Sequence, residues 1–154
     1  MAPSRSATPR RDRWPCASTR RSASLTARGK DKRTGTGNLV NAANDRDIAV
    51  WGKRAVWCDA SGPLADGRVI GIALLEHPQN FRHPTWWHAR DYGRLSANPF
   101  GQHDFEKLKY QPTAGDHLIP AGGSLTLRYR LVFHRGDTAA ADIPAGFRAY
   151  AAEM

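Results

Sequence analysis

The chain reads as an all-β protein, an antiparallel sandwich, and three features of its 154 residues carry that expectation. The stretch SLTLRYRLVFH at 124–134 alternates strictly between apolar and polar side chains, the period of a strand with one covered face. The stretch RVIGIALL at 68–75 is apolar on both sides, as an interior strand covered twice would be. Gly- and Pro-rich turns separate such segments, and no long helical pattern competes with them. Four or five strands over about 120 residues, one needing cover on both faces, look like half of a larger sandwich with open sheet edges.

The leader comes first. Positions 1–33 hold ten basic and two acidic residues, and 24 of the 33 are Arg, Ser, Ala, Pro or Thr. Such a composition cannot bury enough apolar surface to offset its chain entropy, so a disordered basic tail is expected over 1–34, with the folded domain at 35–154. The GC-rich codons of these residues fit translation from a wrong start or across a frameshift. A transit peptide and a nucleic-acid-binding arm are the alternatives. The remaining 121 residues hold 13 basic against 12 acidic groups. The net charge of +9 is therefore a property of the leader, and no nucleic-acid partner is expected. No apolar run approaches the roughly 18 residues of a membrane helix, and no apolar stretch of about 7–15 residues marks a secretory signal. No membrane partner and a cytoplasmic location follow as expectations.

Within the domain, Leu39-Val40 reads as the end of a first strand. VWGKRAVWCD at 50–59, with two Trp and two Val, reads as a second. SGPLADG at 61–67 reads as its hairpin connection to the apolar strand, in which Gly71 marks a bulge or a close backbone approach. The alternation at 124–134 puts Leu125, Leu127, Tyr129, Leu131 and Phe133 on the expected buried face, and Arg128, Arg130 and His134 on the other. Only 139–152 is rich enough in Ala for helix, and Pro144 and Gly146 are expected to break it into short pieces. Cys16 and Cys58 make neither a disulfide framework nor a zinc motif, and Cys58 reads as a small buried hydrophobe.

Residues 77–101, HPQNFRHPTWWHARDYGRLSANPFG, are densest in side chains that recognise polar ligands. If WWHARDYG is extended, Trp86, His88, Arg90 and Tyr92 share one face, and Trp87, Ala89 and Asp91 the other. Aromatic rings beside an imidazole and a guanidinium suit a sugar, or a carboxylate or phosphate through Arg90. The competing reading makes the Trp side chains core and pairs Arg90 with a carboxylate. His77, His83 and His88 are spaced by six and five residues, with Glu76, Asp91 and Asp104 nearby. That spacing is not diagnostic of a metal site, and neither a metal nor a cofactor is expected. His134 is a second acid/base candidate. Asn98 either aims at a ligand or serves as turn chemistry in NPFG. No nucleophile elbow, P-loop or dinucleotide fingerprint occurs.

The succession WGKRAVWCDASGP, GRVIGIALLEHPQNFRHPTWWHARDYG, SANPFG and LTLRYRLVFHRGD, over about 35–152, resembles the uncharacterised bacterial PmoA-like family. The resemblance implies a soluble β-sandwich of about twice this folded length, of which this chain matches the carboxy-terminal half. Cys58 departs slightly from that pattern, where a small apolar residue is usual, and the His-rich amino-terminal half has no counterpart here. The resemblance carries over His77, Pro78, Asn80, Pro84, Thr85, Trp86, His88, Arg90, Tyr92, Gly93, Asn98, Pro99, Phe100 and His134, and it implies the company of sugar-oxidising or sugar-degrading enzymes. A methane monooxygenase activity is not expected of a chain with no spanning segment. The function expected is the binding or processing of a carbohydrate or sugar acid. His88 and His134 would transfer protons, and Trp86, Arg90, Tyr92, His77, Asn80 and Asn98 would bind substrate. The alternatives are a non-catalytic interaction module, in which these aromatics and histidines are core or partner interface, and an inactive truncated fragment that self-associates through open sheet edges.

Overall fold

The computed structural model describes residues 37–90 and 93–153. The basic leader, Cys16, Asp91 and Tyr92 lie outside them. Strands β1 (Asn38–Asn41), β2 (Trp57–Pro63), β3 (Val69–Glu76) and β6 (Tyr129–Arg135) form an antiparallel sheet in the order β1-β2-β3-β6. Strands β4 (Trp86–Trp87) and β5 (Ala97–Asn98) form a second, two-stranded sheet. Helices α1 (Gln102–Phe105) and α2 (Ile143–Ala151) complete the fold, which is all-β as its alternation predicts.

Register divides the four-stranded sheet into two faces. Leu39, Cys58, Ala60, Ile72, Leu74, Leu131 and Phe133 share the first, and Val40, Trp57, Asp59, Gly71, Ala73, Leu75, Val132 and His134 the second. On the first face Leu39, Cys58 and Ala60 pack against Val50, Ala55, Trp87 and Ala89, so the small sheet covers the β1–β2 half. On the second, Val40, Trp57, Ala73 and Leu75 pack against Ile143 and Tyr150 of α2. Strand β3 is interior, as an apolar run should be, and Cys58 is fully buried.

Local expectations are corrected at three elements. The strand expected at 50–59 begins only at Trp57. Before it the chain makes a 3-10 turn at Asp47–Val50 and reverses at Gly52, whose φ is +71° and whose missing side chain admits the Phe105 ring. The strand expected at 124–134 pairs only from Tyr129, because its partner β3 ends at Glu76. One further rung is supplied by a side chain, since Asn80 Nδ2 donates to Arg128 O and Asn80 Oδ1 accepts from Arg128 N, both at 2.7 Å. The face of β6 expected to be buried is open, with Leu131 59% and Phe133 75% exposed, because β6 is an edge strand beyond the reach of the small sheet.

The third correction is α2, a continuous helix of nine residues. Pro144 falls in its first turn, where a missing N–H breaks no helical bond, and the Asp142 side chain caps Ala145 N at 3.2 Å. Gly146 is exposed, and a Cβ there would meet nothing within 4 Å. Gly146→Ala should therefore stabilise the chain by about 0.5–1 kcal/mol. A lower midpoint in chemical denaturation would show that this helix is not formed as described.

Candidate functional site

Beyond Glu76 the chain leaves the sheet and folds back on itself. His77 N donates to Arg128 O, and successive turns then close from Asn80 N to His77 O and from His83 N to Asn80 O. Arg82 pins this segment by donating to the carbonyls of Pro99, Gly115 and Asp116. Arg54 pins its far side by donating to Pro84 O at 2.8 Å and Arg82 O at 3.2 Å. The outcome is that His83 and Thr85 return onto the carboxyl group of Glu76.

Glu76 is completely buried. Its Oε2 accepts from Thr85 N at 2.7 Å and from His83 Nδ1 at 3.0 Å. Glu76 Oε1, Thr85 Oγ1 and the Tyr129 hydroxyl are also buried, yet none has a hydrogen-bond partner among the described residues. The rung pairing Glu76 with Tyr129 places those two side chains on one face, and Thr85 comes to them through its N–H bond to Glu76 Oε2. Thr85 lies near enough to Tyr129 to ease its ionisation without a well-aligned hydrogen bond between them. Burial pushes the Glu76 carboxyl up to about 7, against the opposing pull of Thr85 N–H, Asn80 and Arg54. Desolvation, with Arg54 and His77 adding to it, lowers His83 below its ordinary range. Burial, then the charge of Glu76, pushes Tyr129 up to about 12. An acid raised and an imidazole lowered favour the same state at neutral pH. A carboxyl raised to about 7 is partly protonated at neutral pH, and the lowered imidazole favours its neutral form beside it. In either state Glu76 Oε1 has no partner among the described residues. His83 is 21% exposed through its side chain and gives the pair its contact with solvent.

A second buried pair joins β2 and β6 across β3. His134 Nε2 lies 2.9 Å from Asp59 Oδ1, and Thr138 Oγ1 donates to Asp59 Oδ2 at 2.6 Å. The imidazole reaches β2 only because its partner in register is Gly71, where a Cβ would overlap the ring. This is the close approach that a glycine inside an apolar strand announces. The His134 side chain is 6% exposed, so the pair clamps the sheet, although its Nδ1 has no partner among the described residues.

The other expected site residues are dispersed. Trp86, His88 and Arg90 do share one side of an extended segment whose opposite side, Trp87 and Ala89, is fully buried. That shared side is already occupied. Trp86 is 3% exposed, carries the Arg54 guanidinium 4.5 Å above its ring, and donates through Nε1 to Glu106 Oε1 at 3.1 Å. A sugar cannot stack there. His88 stands edge-on to Phe105, its pKa lowered by desolvation and by Arg94 and Arg90, and Arg90 lies over Trp51 at 4.6 Å. His77 donates through Nε2 to Glu153 O at 2.8 Å, accepts from Gln79 N, and packs edge-on against Tyr150. Asn80 clamps Arg128, and Asn98 Oδ1 accepts from Phe100 N at 3.1 Å, the turn chemistry of an Asx motif. Among the described residues no three His, Cys, Asp or Glu side chains converge as a metal site would require.

Sequence reading missed Glu76 and Tyr129 as site residues. The signal for Glu76 was a carboxylate ending a strand that is apolar on both sides, and Tyr129 sat among residues read as core. None of the helices described is long and apolar enough to cross a membrane. No curated protein and no solved structure matches the chain significantly. One family model does match, over residues 7–148, a range that takes in most of the basic leader. The chain belongs to that family, DUF6807, whose function is unknown.

Proposed function

We propose that this protein binds a carbohydrate or sugar acid, and that Glu76 and His83 exchange protons with it. The observation that carries the reading is the set of three buried, unpartnered polar atoms on Glu76, Thr85 and Tyr129 beside the Glu76–His83 pair. A buried polar atom without a partner costs about 1–3 kcal/mol, and a polyhydroxylated ligand supplies both the donors and the acceptors that would recover it. A carboxyl group titrating at about 7 is matched to general acid or base work at neutral pH. His83, whose side chain is 21% exposed, is the member of the group in contact with solvent. The PmoA-like resemblance, with its company of sugar-handling enzymes, supports the ligand class.

Tyr129→Phe separates function from stability. It removes an unsatisfied hydroxyl and keeps the ring, so thermal stability should hold or rise while ligand affinity falls about tenfold. Calorimetric titration of the full chain with mono- and disaccharides and with their uronic and aldonic acids provides the measurement. If no member of that set binds the wild-type chain, the proposal fails.

A non-catalytic module is the second reading, favoured by the structural contacts that occupy Trp86, His77, Asn80 and Asn98. Glu76→Gln and His83→Ala distinguish the two. Lower melting temperatures with no ligand effect support the module.

A further inference from the structure

The sheet face opposite Glu76 carries a concavity separate from the site just described. It encloses about 340 Å³ over the β1–β2 half, a volume near the lower end for small-ligand sites. Its floor is Val40, Trp57 and Ser61, all buried and all on one face of the register. One wall is the turn of Asp137, Thr138 and Ala139. Thr138 Oγ1 fixes it over β2 by donating to Asp59 Oδ2 at 2.6 Å, and Asp137 Oδ1 accepts from Ala139 N and Ala140 N. The opposite wall is the turn that follows β1. Buried Asn41 braces it, its Oδ1 accepting from Ala43 N and Asp45 N and its Nδ2 donating to Asp45 Oδ2. Arg46 closes that turn as the antiparallel partner of Val40, which puts its side chain on the cavity's face. Val40 pairs on its other side with Asp59, the residue that Thr138 grips, so Arg46 and the Asp137 turn stand on either side of the floor. They carry opposite charges, and among the described residues neither forms an ion pair.

We propose that this cavity binds a zwitterion of the amino-acid class, a free α-amino acid or a dipeptide with an apolar side chain. Its carboxylate would meet the Arg46 guanidinium and its ammonium group the Asp137 carboxylate. Charge selects this class over its neighbours. A simple anion placed here meets Asp137, a simple cation meets Arg46, and a neutral sugar leaves both charges unused. The rest of the lining divides as such a ligand does. The Ser61 hydroxyl and the Asn38 amide, paired across one rung of the sheet, offer neutral donors and acceptors, while Val40, Trp57 and Pro144 offer an apolar surface for the side chain.

The test is calorimetric titration of the full chain with L-leucine and with L-leucyl-L-leucine. Isocaproate and isoamylamine serve as analogues that keep leucine's apolar chain but lack its ammonium or its carboxylate. At least one zwitterion should bind, the tighter of the two giving the length the cavity reads, and each single-charge analogue should bind about tenfold or more weakly. Arg46→Gln and Asp137→Asn should each weaken the zwitterion by about the same factor, whereas Arg46→Lys, which keeps the charge, should retain most of the affinity. Gln keeps a donor for Asn44 Oδ1 and Asn keeps an acceptor for Ala139 N, so both variants should melt as the wild type does. The comparison of analogues on the wild-type chain stands whatever the variants do. Failure of both zwitterions to bind overturns the proposal. So do analogues that bind as tightly as leucine, and so does an affinity that survives both neutralising substitutions.

Discussion

Gly71→Ala should cost about 3 kcal/mol or more, because the added methyl group occupies the volume of the His134 imidazole. The ring cannot withdraw without loss. Its Nε2 bond to Asp59 is the only partner that described residues give it, and Asp59 is fully buried. Displacing His134 leaves Asp59 with Thr138 alone, and leaving a buried polar group without its partner costs about 1–3 kcal/mol on top of the overpacking. A single methyl group thus reaches three strands: β3 where it is added, β6 where the ring moves, and β2 where the carboxylate is exposed. Urea denaturation followed by circular dichroism gives the measurement. A loss under 1 kcal/mol would mean that the imidazole has somewhere else to go, and the clamp would not be what holds β6 to the sheet.

The pH dependence of Glu76 should be the second large effect. In the unfolded chain its carboxyl group titrates near 4.5, whereas burial pushes it up to about 7 in the folded one. The folded state therefore binds the proton more tightly. Its advantage is complete below about pH 4.5 and is lost as pH rises toward about 7, by up to about 3 kcal/mol. His83 acts in the opposite sense. Its lowered pKa favours the neutral imidazole in the folded state, so its contribution is present above its unfolded value and declines as pH falls. The wild-type profile mixes both effects. Glu76→Gln isolates the carboxyl group, since Gln keeps an oxygen for Thr85 N and His83 Nδ1 but has no proton to lose. The stability of the variant relative to wild type should rise between pH 4.5 and 8 by up to about 3 kcal/mol. A pH-independent difference between the two would show that the carboxyl group is ordinary.

Much of the fold was legible because strand periodicity and turn chemistry are local. The run at 68–75 gave an interior strand, and Gly71 marked a close approach, since only a missing side chain explains a glycine there. The face of β6 was not legible. Alternation tells that Leu131 and Phe133 point together, but which side is covered depends on where the small sheet and α2 end, and both are tertiary facts. Helix α2 is only half legible in the sequence, because a proline breaks a helix in its interior but not in its first turn, where Pro144 lies.

The site failed to read for a related reason. Residue type drew attention to Trp86, His88 and Arg90, and the extended geometry expected of them is present, but Trp51, Phe105 and Glu106 arrive from elsewhere to occupy that side. Glu76 and His83 are seven residues apart, and nothing short of the turns at His77 and Asn80 shows that the chain doubles back to join them. A buried carboxylate and the imidazole that holds it are made neighbours by the backbone between them.

The most direct test is a carbon-13 titration of the Glu76 side-chain carboxyl in the full chain, with His83→Ala as its control. A midpoint near 7 that moves when His83 is removed, or when a bound sugar acid fills the site, is the predicted result. A midpoint near 4.5, unaffected by either change, would mean a solvated carboxylate and no site at this end of the sheet.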